Sequence, residues 1–202
     1  MLSLRILSVK DPLFYRCDGG DRSAMSTVIM DESAVKRSLA RITHEIIEHN
    51  RGAADICLVG IRRRGASVAR AIFENIQKFE NVTPPLGFLD ITFYRDDLST
   101  ELCDPSLSDT EIGFDVTGQN IILTDDVIYT GRTCRAAIEA IFRLGRPASI
   151  QFAVLIDRGH RELPLRPDYV GKNVPTSKDE IISVATDEYD GETCVRLTRQ
   201  SD

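Results

Sequence analysis

Apolar positions along the chain change period in a regular way. From Asp31 they fall at Val35, Leu39, Ile42 and Ile46, a spacing that lays one stripe along a helix. Asp31 or Ser33 is placed to cap its start and Gly52 to end it, while the opposite stripe carries Arg37, Arg41, His44 and Glu48. Ile56–Ile61 is an unbroken apolar run of strand length, followed by Arg62-Arg63-Arg64-Gly65. A second helical stripe at Val68, Ile72, Ile76 and Phe79 is stopped by Thr83-Pro84-Pro85. Residues 88–94 read as a strand, and 95–118 as a long, acidic, turn-rich connection. Residues 120–124 read as a buried strand, 131–144 as a helix closed by Gly145-Arg146-Pro147, and 150–156 as a further strand. A loop of glycine, proline and charge is expected over 157–180, then short strands at 181–185 and 193–197. Strands alternating with helices predict an α/β fold, a central parallel sheet with helices on both faces. Ligands in such sheets sit at the carboxyl ends of the strands, which singles out the loops 62–65, 125–133 and 157–173.

Residues 1–24 differ from the rest, with a turn-like Asp18-Gly19-Gly20-Asp21 and no sustained period. They read as an N-terminal extension, disordered or lying upstream of a start at Met25, with residues 25–202 as the functional domain. The 202 residues carry 25 basic and 31 acidic side chains, a formal charge of −6, which argues against a generic nucleic-acid coat but leaves room for a local basic face. No apolar stretch approaches the roughly 20 residues of a membrane span. The five cysteines are scattered without a C-x-x-C pair, so neither metal-ligand nor disulfide spacing is present and a reducing cytoplasm is the expected compartment.

The segment carrying most chemistry is Ile121-Ile122-Leu123-Thr124-Asp125-Asp126-Val127-Ile128-Tyr129-Thr130-Gly131-Arg132-Thr133. An apolar strand delivers two carboxylates, and a short loop then enters a helix. Free backbone N–H groups and the helix dipole favour a phosphomonoester there, Gly131 lets backbone approach closely, and Thr130 and Thr133 add hydroxyl donors. Asp125 and Asp126 suit ribose hydroxyls or a hydrated Mg²⁺. Carboxylates for a sugar beside a cradle for its phosphate describe a 5-phosphoribosyl site; neither G-x-x-x-x-G-K-[ST] nor G-x-G-x-x-G is present. Arg62, Arg63 and Arg64 repel one another and should face a polyanion or spread into solvent. Arg158, His160 and Arg161 by themselves form a basic loop.

The 121–133 segment resembles the phosphoribosyl diphosphate (PRPP) motif of type I phosphoribosyltransferases, and within them the family of bifunctional pyrimidine operon regulators and uracil phosphoribosyltransferases. Leu58-Val59-Gly60-Ile61 with Arg64-Gly65, the segment Asp90-Ile91-Thr92-Phe93-Tyr94-Arg95-Asp96-Asp97-Leu98, residues 157–173 and Pro175-Thr176-Ser177 carry the same resemblance, which spans about residues 28–198. It implies a type I phosphoribosyltransferase-like fold with a small hood. It also implies the reaction of uracil with PRPP to UMP and diphosphate, with Mg²⁺ carried by PRPP rather than held directly by protein ligands. By the resemblance, Gly60, Ile61, Arg62, Arg63, Arg64 and Gly65 form the diphosphate loop, where the family usually has Lys-Thr-Arg in place of Arg62-Arg63-Arg64. Asp125, Asp126 and Arg64 are the implied catalytic residues. Asp125, Asp126, Tyr129, Thr130, Gly131, Arg132 and Thr133 bind ribose and 5′-phosphate, and Arg158 and Val170 lie at the base.

The resemblance further implies a homo-oligomer, dimer or larger, that senses UMP or UTP and binds the mRNA leader of a pyrimidine operon. The matching RNA residues are Arg41, His44, His160, Arg166 and Lys172. The family often has Thr at the position of Ala40 and Arg at that of His49. Arg41, on a helix away from the strand-end loops, is expected to serve RNA and spare uracil conversion. The other reading left open is a phosphoribosyltransferase for another base, with no RNA role. The acidic stretch 99–117 is a candidate lid.

Overall fold

A computed structural model describes residues 26–91 and 110–199. The expectations for residues 1–24, and for the part of the acidic connection and its candidate lid before Thr110, lie outside them. The elements in chain order are β1 (Ser26–Met30), α1 (Glu32–Asn50), β2 (Ile56–Ile61), α2 (Arg64–Glu80), β3 (Leu86–Leu89), β4 (Asn120–Ile128), α3 (Arg132–Leu144), β5 (Ser149–Asp157), β6 (Tyr169–Asn173), β7 (Glu180–Ala185), α4 (Asp187–Asp190) and β8 (Cys194–Arg199). Five of the strands form a parallel sheet in the order β3-β2-β4-β5-β6. β1, β8 and β7 form a separate antiparallel sheet, the small hood.

Strand alternation sorts the parallel sheet's side chains between two cores. Leu58, Ile122 and Leu155 join Ile42, Ile46, Ile72 and Ile76 of α1 and α2 on one face. Val59, Ile121, Leu123 and Val154 join Cys134, Ala137 and Ile141 of α3 on the other. Helices therefore cover both faces, as the periodicity implies. Each fully buried Ile or Leu here contributes roughly 1.5–3 kcal/mol by leaving water. Met30, Ile182, Val184 and Val195 of the hood pack into the α1/α2 core, which ties the small sheet to the large one.

Asp31 caps α1 as expected, accepting from the Ala34 amide at 2.7 Å. The helix ends one residue earlier than Gly52 suggests: Arg51 takes the left-handed conformation at φ 59°, and its amide donates to Glu48 O. β3 covers Leu86–Leu89 and not 88–94, within the residues described. β4 runs on to Ile128, so Asp125 and Asp126 belong to the strand itself. The expected loop 157–180 contains β6, whose Tyr169 is buried but whose Lys172 and Asn173 are exposed, too polar a run to read as a strand. β1 was equally unmarked in sequence, because its partner β8 lies at the far end of the chain.

Two close contacts position the site. A Cβ on Gly65 would lie 2.8 Å from Thr124 O and 3.0 Å from Asp125 Cα, so glycine lets the first turn of α2 press against β4 beside its carboxylates. Thr124 Oγ1 closes the same contact by donating to Gly65 O at 2.9 Å.

Candidate active site

Parallel pairing of β2 with β4, Gly60 opposite Thr124, brings the residues after β2 and the end of β4 to one edge of the sheet. Asp125 is buried, with Oδ1 accepting from the Asp126 amide at 2.9 Å; Asp126 is half-buried. Burial, then the charge of Asp126 beside it, pushes the Asp125 carboxyl well above the usual carboxylate range. Burial also raises Asp126, against the opposing pull of hydrogen bonds from Asp125 and the Val127 amide and of the Arg64 charge. The buried member has spent one oxygen on backbone, leaving Asp126 as the carboxylate better placed to meet a ribose.

The loop Tyr129-Thr130-Gly131 follows, and Gly131 at φ 94° takes the left-handed conformation that leads into α3. Gly131 offers α3 no side-chain cap, and a helix N-terminus of this kind favours an anion. The Arg132 amide makes a long contact with Thr130 Oγ1 at 3.4 Å, and the Arg132 side chain pairs with Glu162 at 2.7 Å. The loop is held from outside. Thr130 O accepts from the Glu162 and Leu163 amides at 2.9 and 3.2 Å, and Tyr129 O accepts from Arg161 Nη1 at 2.8 Å. Arg161 also donates to Leu165 O at 3.0 Å and pairs with Asp157 at 2.5 Å. In sequence Arg161 is one charge of a basic loop; its carbonyl partners leave no mark there.

The three arginines diverge. Arg62 pairs with Glu111 at 2.9 Å, on the returning acidic connection, which also exchanges two backbone hydrogen bonds with Phe88. Arg63 is exposed. Arg64, the first residue of α2, pairs with Asp190 at 3.0 Å and lies close enough to Asp126 to favour its ionisation. Carboxylates thus relieve the mutual repulsion that sequence alone assigns to a polyanion or to solvent, and Arg64 is the arginine whose charge is felt at Asp126.

Of the two residues expected at the base, Arg158 is buried and largely committed. It donates to Thr176 Oγ1, Ser177 O and Glu180 O at 3.2, 3.4 and 2.5 Å, and its guanidinium lies 4.2 Å from the centre of the Tyr129 ring. Val170 sits on β6 opposite Val154, half-buried against the α3-face core. Its carbonyl accepts from Arg41 Nη2 at 2.9 Å, and Gly171 O accepts from the same nitrogen at 2.7 Å. Arg41 is expected to lie away from the strand-end loops; α1 packs over β6, so this long side chain on its exposed stripe reaches the Val170 and Gly171 carbonyls of that strand. Arg41 and Lys172 share an open groove with Arg37 and Ser38. His44 instead stacks on Phe79 of α2 at 4.3 Å, and His160 donates to Thr176 O at 2.5 Å beside Tyr129. Arg166 is exposed. The five expected RNA residues therefore fall into a groove pair and three separate positions.

The buried Cys134 thiol, the third residue of α3, is pushed up to about 12, first by burial and then by the Asp125 charge. Alkylation of the native protein near neutral pH should therefore leave Cys134 unmodified and activity intact, since the thiolate is the reactive form. Peptide mass mapping checks this; rapid inactivation at Cys134 that PRPP prevents would assign the thiol to the site.

A strand pair delivering carboxylates, an arginine and an uncapped helix N-terminus to one edge is the layout of a phosphoribosyl-binding fold, and the phosphoribosyl transferase domain model matches residues 26–190. The chain belongs to the phosphoribosyltransferases. It is 60% identical over 164 residues to the bifunctional protein PyrR of Caldicellulosiruptor saccharolyticus, covering 81% of this chain and 90% of that protein. It is 56% identical over 172 residues to the bifunctional protein PyrR of Thermoanaerobacter pseudethanolicus, covering 85% and 97%. Within the class, it is a member of the PyrR family. The hypoxanthine phosphoribosyltransferase of Trypanosoma cruzi shares the fold, with a TM-score of 0.66 at 17% identity over 87% of this chain and 97% of that one. Among the described residues no helix is long and apolar enough to cross a membrane.

Proposed function

We propose that this protein transfers the 5-phosphoribosyl group of PRPP to uracil, giving UMP and diphosphate, and that uridine nucleotides in the same site govern its binding to the mRNA leader of a pyrimidine operon. The observation that carries the reading is the meeting of Arg64, Asp126 and the 129–131 loop at the carboxyl ends of β2 and β4, in a chain so close to proteins named bifunctional PyrR. The loop and the first amides of α3 bind the 5′-phosphate, with Thr130, Gly131, Arg132 and Thr133 around it. Asp126, backed by Asp125, takes the ribose hydroxyls and stabilises positive charge as the bond from C1 to diphosphate lengthens. Arg64 neutralises the departing diphosphate, while Arg62 and Arg63 flank it. Val170 packs at the uracil, and the commitments of Arg158 make it the support of Tyr129 and the 176–180 segment.

The half-buried carboxylate of Asp126 would hold, through water, a Mg²⁺ brought in with PRPP, and the ion would supply charge neutralisation for the leaving group. The groove of Arg37, Arg41 and Lys172 offers the first contacts to RNA phosphates, with His44, His160 and Arg166 as outer ones. A cytoplasmic homo-oligomer, with residues 25–202 as its transferase domain, completes the reading. The test is diphosphate release from PRPP with uracil, hypoxanthine and orotate in parallel. Release with uracil alone is expected. Turnover with another base, together with leader RNA binding that ignores UMP, would leave a phosphoribosyltransferase of different specificity without an RNA role.

A further inference from the structure

The hood brings acidic side chains against the diphosphate side of the site. The turn between β7 and β8 contains Asp187, Glu188 and Asp190 of α4, and it docks on the first two turns of α2. Glu188 accepts from Ser67 Oγ at 2.9 Å and pairs with Arg70 at 2.5 Å, an exposed contact on the outer side. Asp190 points inward. One of its oxygens accepts from Arg64 Nη2 at 3.0 Å, the other from the Thr186 amide at 2.9 Å and, more distantly, Arg64 Nε at 3.5 Å. Its side chain is 10% exposed, against 34% for Arg64. Burial pushes the Asp190 carboxyl up, but the Arg64 hydrogen bond, the Thr186 amide and the Arg64 charge outweigh it and hold the group below its ordinary value.

An exposed ion pair of this kind would be worth little, but this one is largely buried and met along the guanidinium edge, the geometry in which an arginine is fixed rather than merely attracted. The need for fixing is local. Arg64 follows two further arginines, and α2 has no side-chain cap to anchor its start. Asp190 reaches in from the hood and meets the Arg64 guanidinium along its edge.

We propose that Asp190 is a positioning residue for phosphoribosyl transfer: from the hood turn it holds the Arg64 guanidinium beside the carboxyl end of β4, so that the diphosphate of PRPP meets a pre-set cation. The assignment rests on the reading of Arg64 as a diphosphate ligand. It also gives the hood a part in the transfer site, through a residue about 126 positions from its partner in sequence.

The experiment compares Asp190→Asn, Asp190→Glu and Glu188→Gln with the parent chain in the uracil and PRPP reaction, alongside thermal melting. Asn keeps the oxygen that serves the Thr186 amide and loses the charge. The expected result is a KM for PRPP raised on the order of tenfold in Asp190→Asn, with kcat and the KM for uracil changed far less, because a misplaced binding group costs affinity for the part it touches. Asp190→Glu should recover much of the loss, and Glu188→Gln should match the parent. An unchanged or lowered KM for PRPP in a folded Asp190→Asn protein overturns the proposal, the lowered value marking Asp190 as a competitor for Arg64. An equal rise in Glu188→Gln overturns it too, since hood docking as a whole would then be the cause. If Asp190→Asn fails to fold, Asp190→Ser decides in its place: a KM shift confined to PRPP supports the assignment, and parent-like constants refute it. A parent chain that neither turns over nor binds PRPP would instead remove the transferase reading beneath it.

Discussion

Replacing Asp126 by Asn is expected to lower kcat/KM for PRPP about a hundredfold or more, the scale on which a preorganised charge at a developing cation is felt. Asp126 is half-buried on the last turn-ward part of β4, with Arg64 near it and the 129–131 loop following. Asp125→Asn should also reduce turnover, but its larger signature is in stability. The Asp125 carboxyl is held well above its ordinary value by burial and by Asp126, so the folded chain binds that proton more tightly than the unfolded one. Its contribution to stability is therefore fully present below the ordinary carboxylate value and is lost as pH rises through the raised folded value. Near neutral pH the raised affinity of the folded chain for that proton costs stability, and the neutral Asn, still able to accept from the Asp126 amide, removes that cost. The Asp125→Asn protein should melt higher than the parent at neutral pH, by about 2–4 °C per kcal/mol for a chain of this size, and the gap should close on acidification. Melting curves at several pH values, with steady-state kinetics beside them, check both statements. An Asp126→Asn protein with near-parental kinetics would remove that residue from the ribose site.

The sequence makes the parallel sheet and both carboxylates visible because those features are local. Apolar runs at Ile56–Ile61 and 120–124 mark central strands, two helical stripes and the 131–144 helix mark the covering layers, and an acidic pair before Thr-Gly marks a strand-to-helix turn. The features that escape are made by partners far apart in the chain. β6 is an edge strand whose outer residues are polar, so it has no period to read. Arg161 and Asp190 act on a carbonyl and on an arginine that only folding brings near. The run Arg62-Arg63-Arg64 is legible as charge, yet which arginine turns toward Asp126 depends on Glu111 and Asp190 drawing two of them to different sides. Sequence displays the charged groups gathered at a strand end and hides the distant partners that hold them still.

Arg41 shows how one side chain serves both halves of the proposed function, and Arg41→Ala is expected to disturb both. It lies in the groove with Arg37 and Lys172, and its Nη2 also spans Val170 O and Gly171 O on the strand proposed to meet uracil. Removing one phosphate contact should lower affinity for a pyrimidine-operon leader and reduce the salt slope by roughly one unit. Removing the same guanidinium from β6 should raise the KM for uracil several-fold while leaving the KM for PRPP near its parental value. Arg41→Lys separates the roles: a lysine keeps the positive charge for phosphate but has one nitrogen where arginine uses Nη1 for Glu45 and Nη2 for the two carbonyls. It should retain most nucleotide-free RNA affinity, shift the KM for uracil as the alanine variant does, and show a smaller gain in RNA affinity when UMP is added, since the contact linking the groove to the base strand is gone. Filter binding of leader and scrambled RNA at two salt concentrations, with and without UMP, reads the first half, and uracil kinetics the second. If Arg41→Ala binds RNA weakly yet converts uracil like the parent, the β6 contact is packing alone and the two activities meet elsewhere.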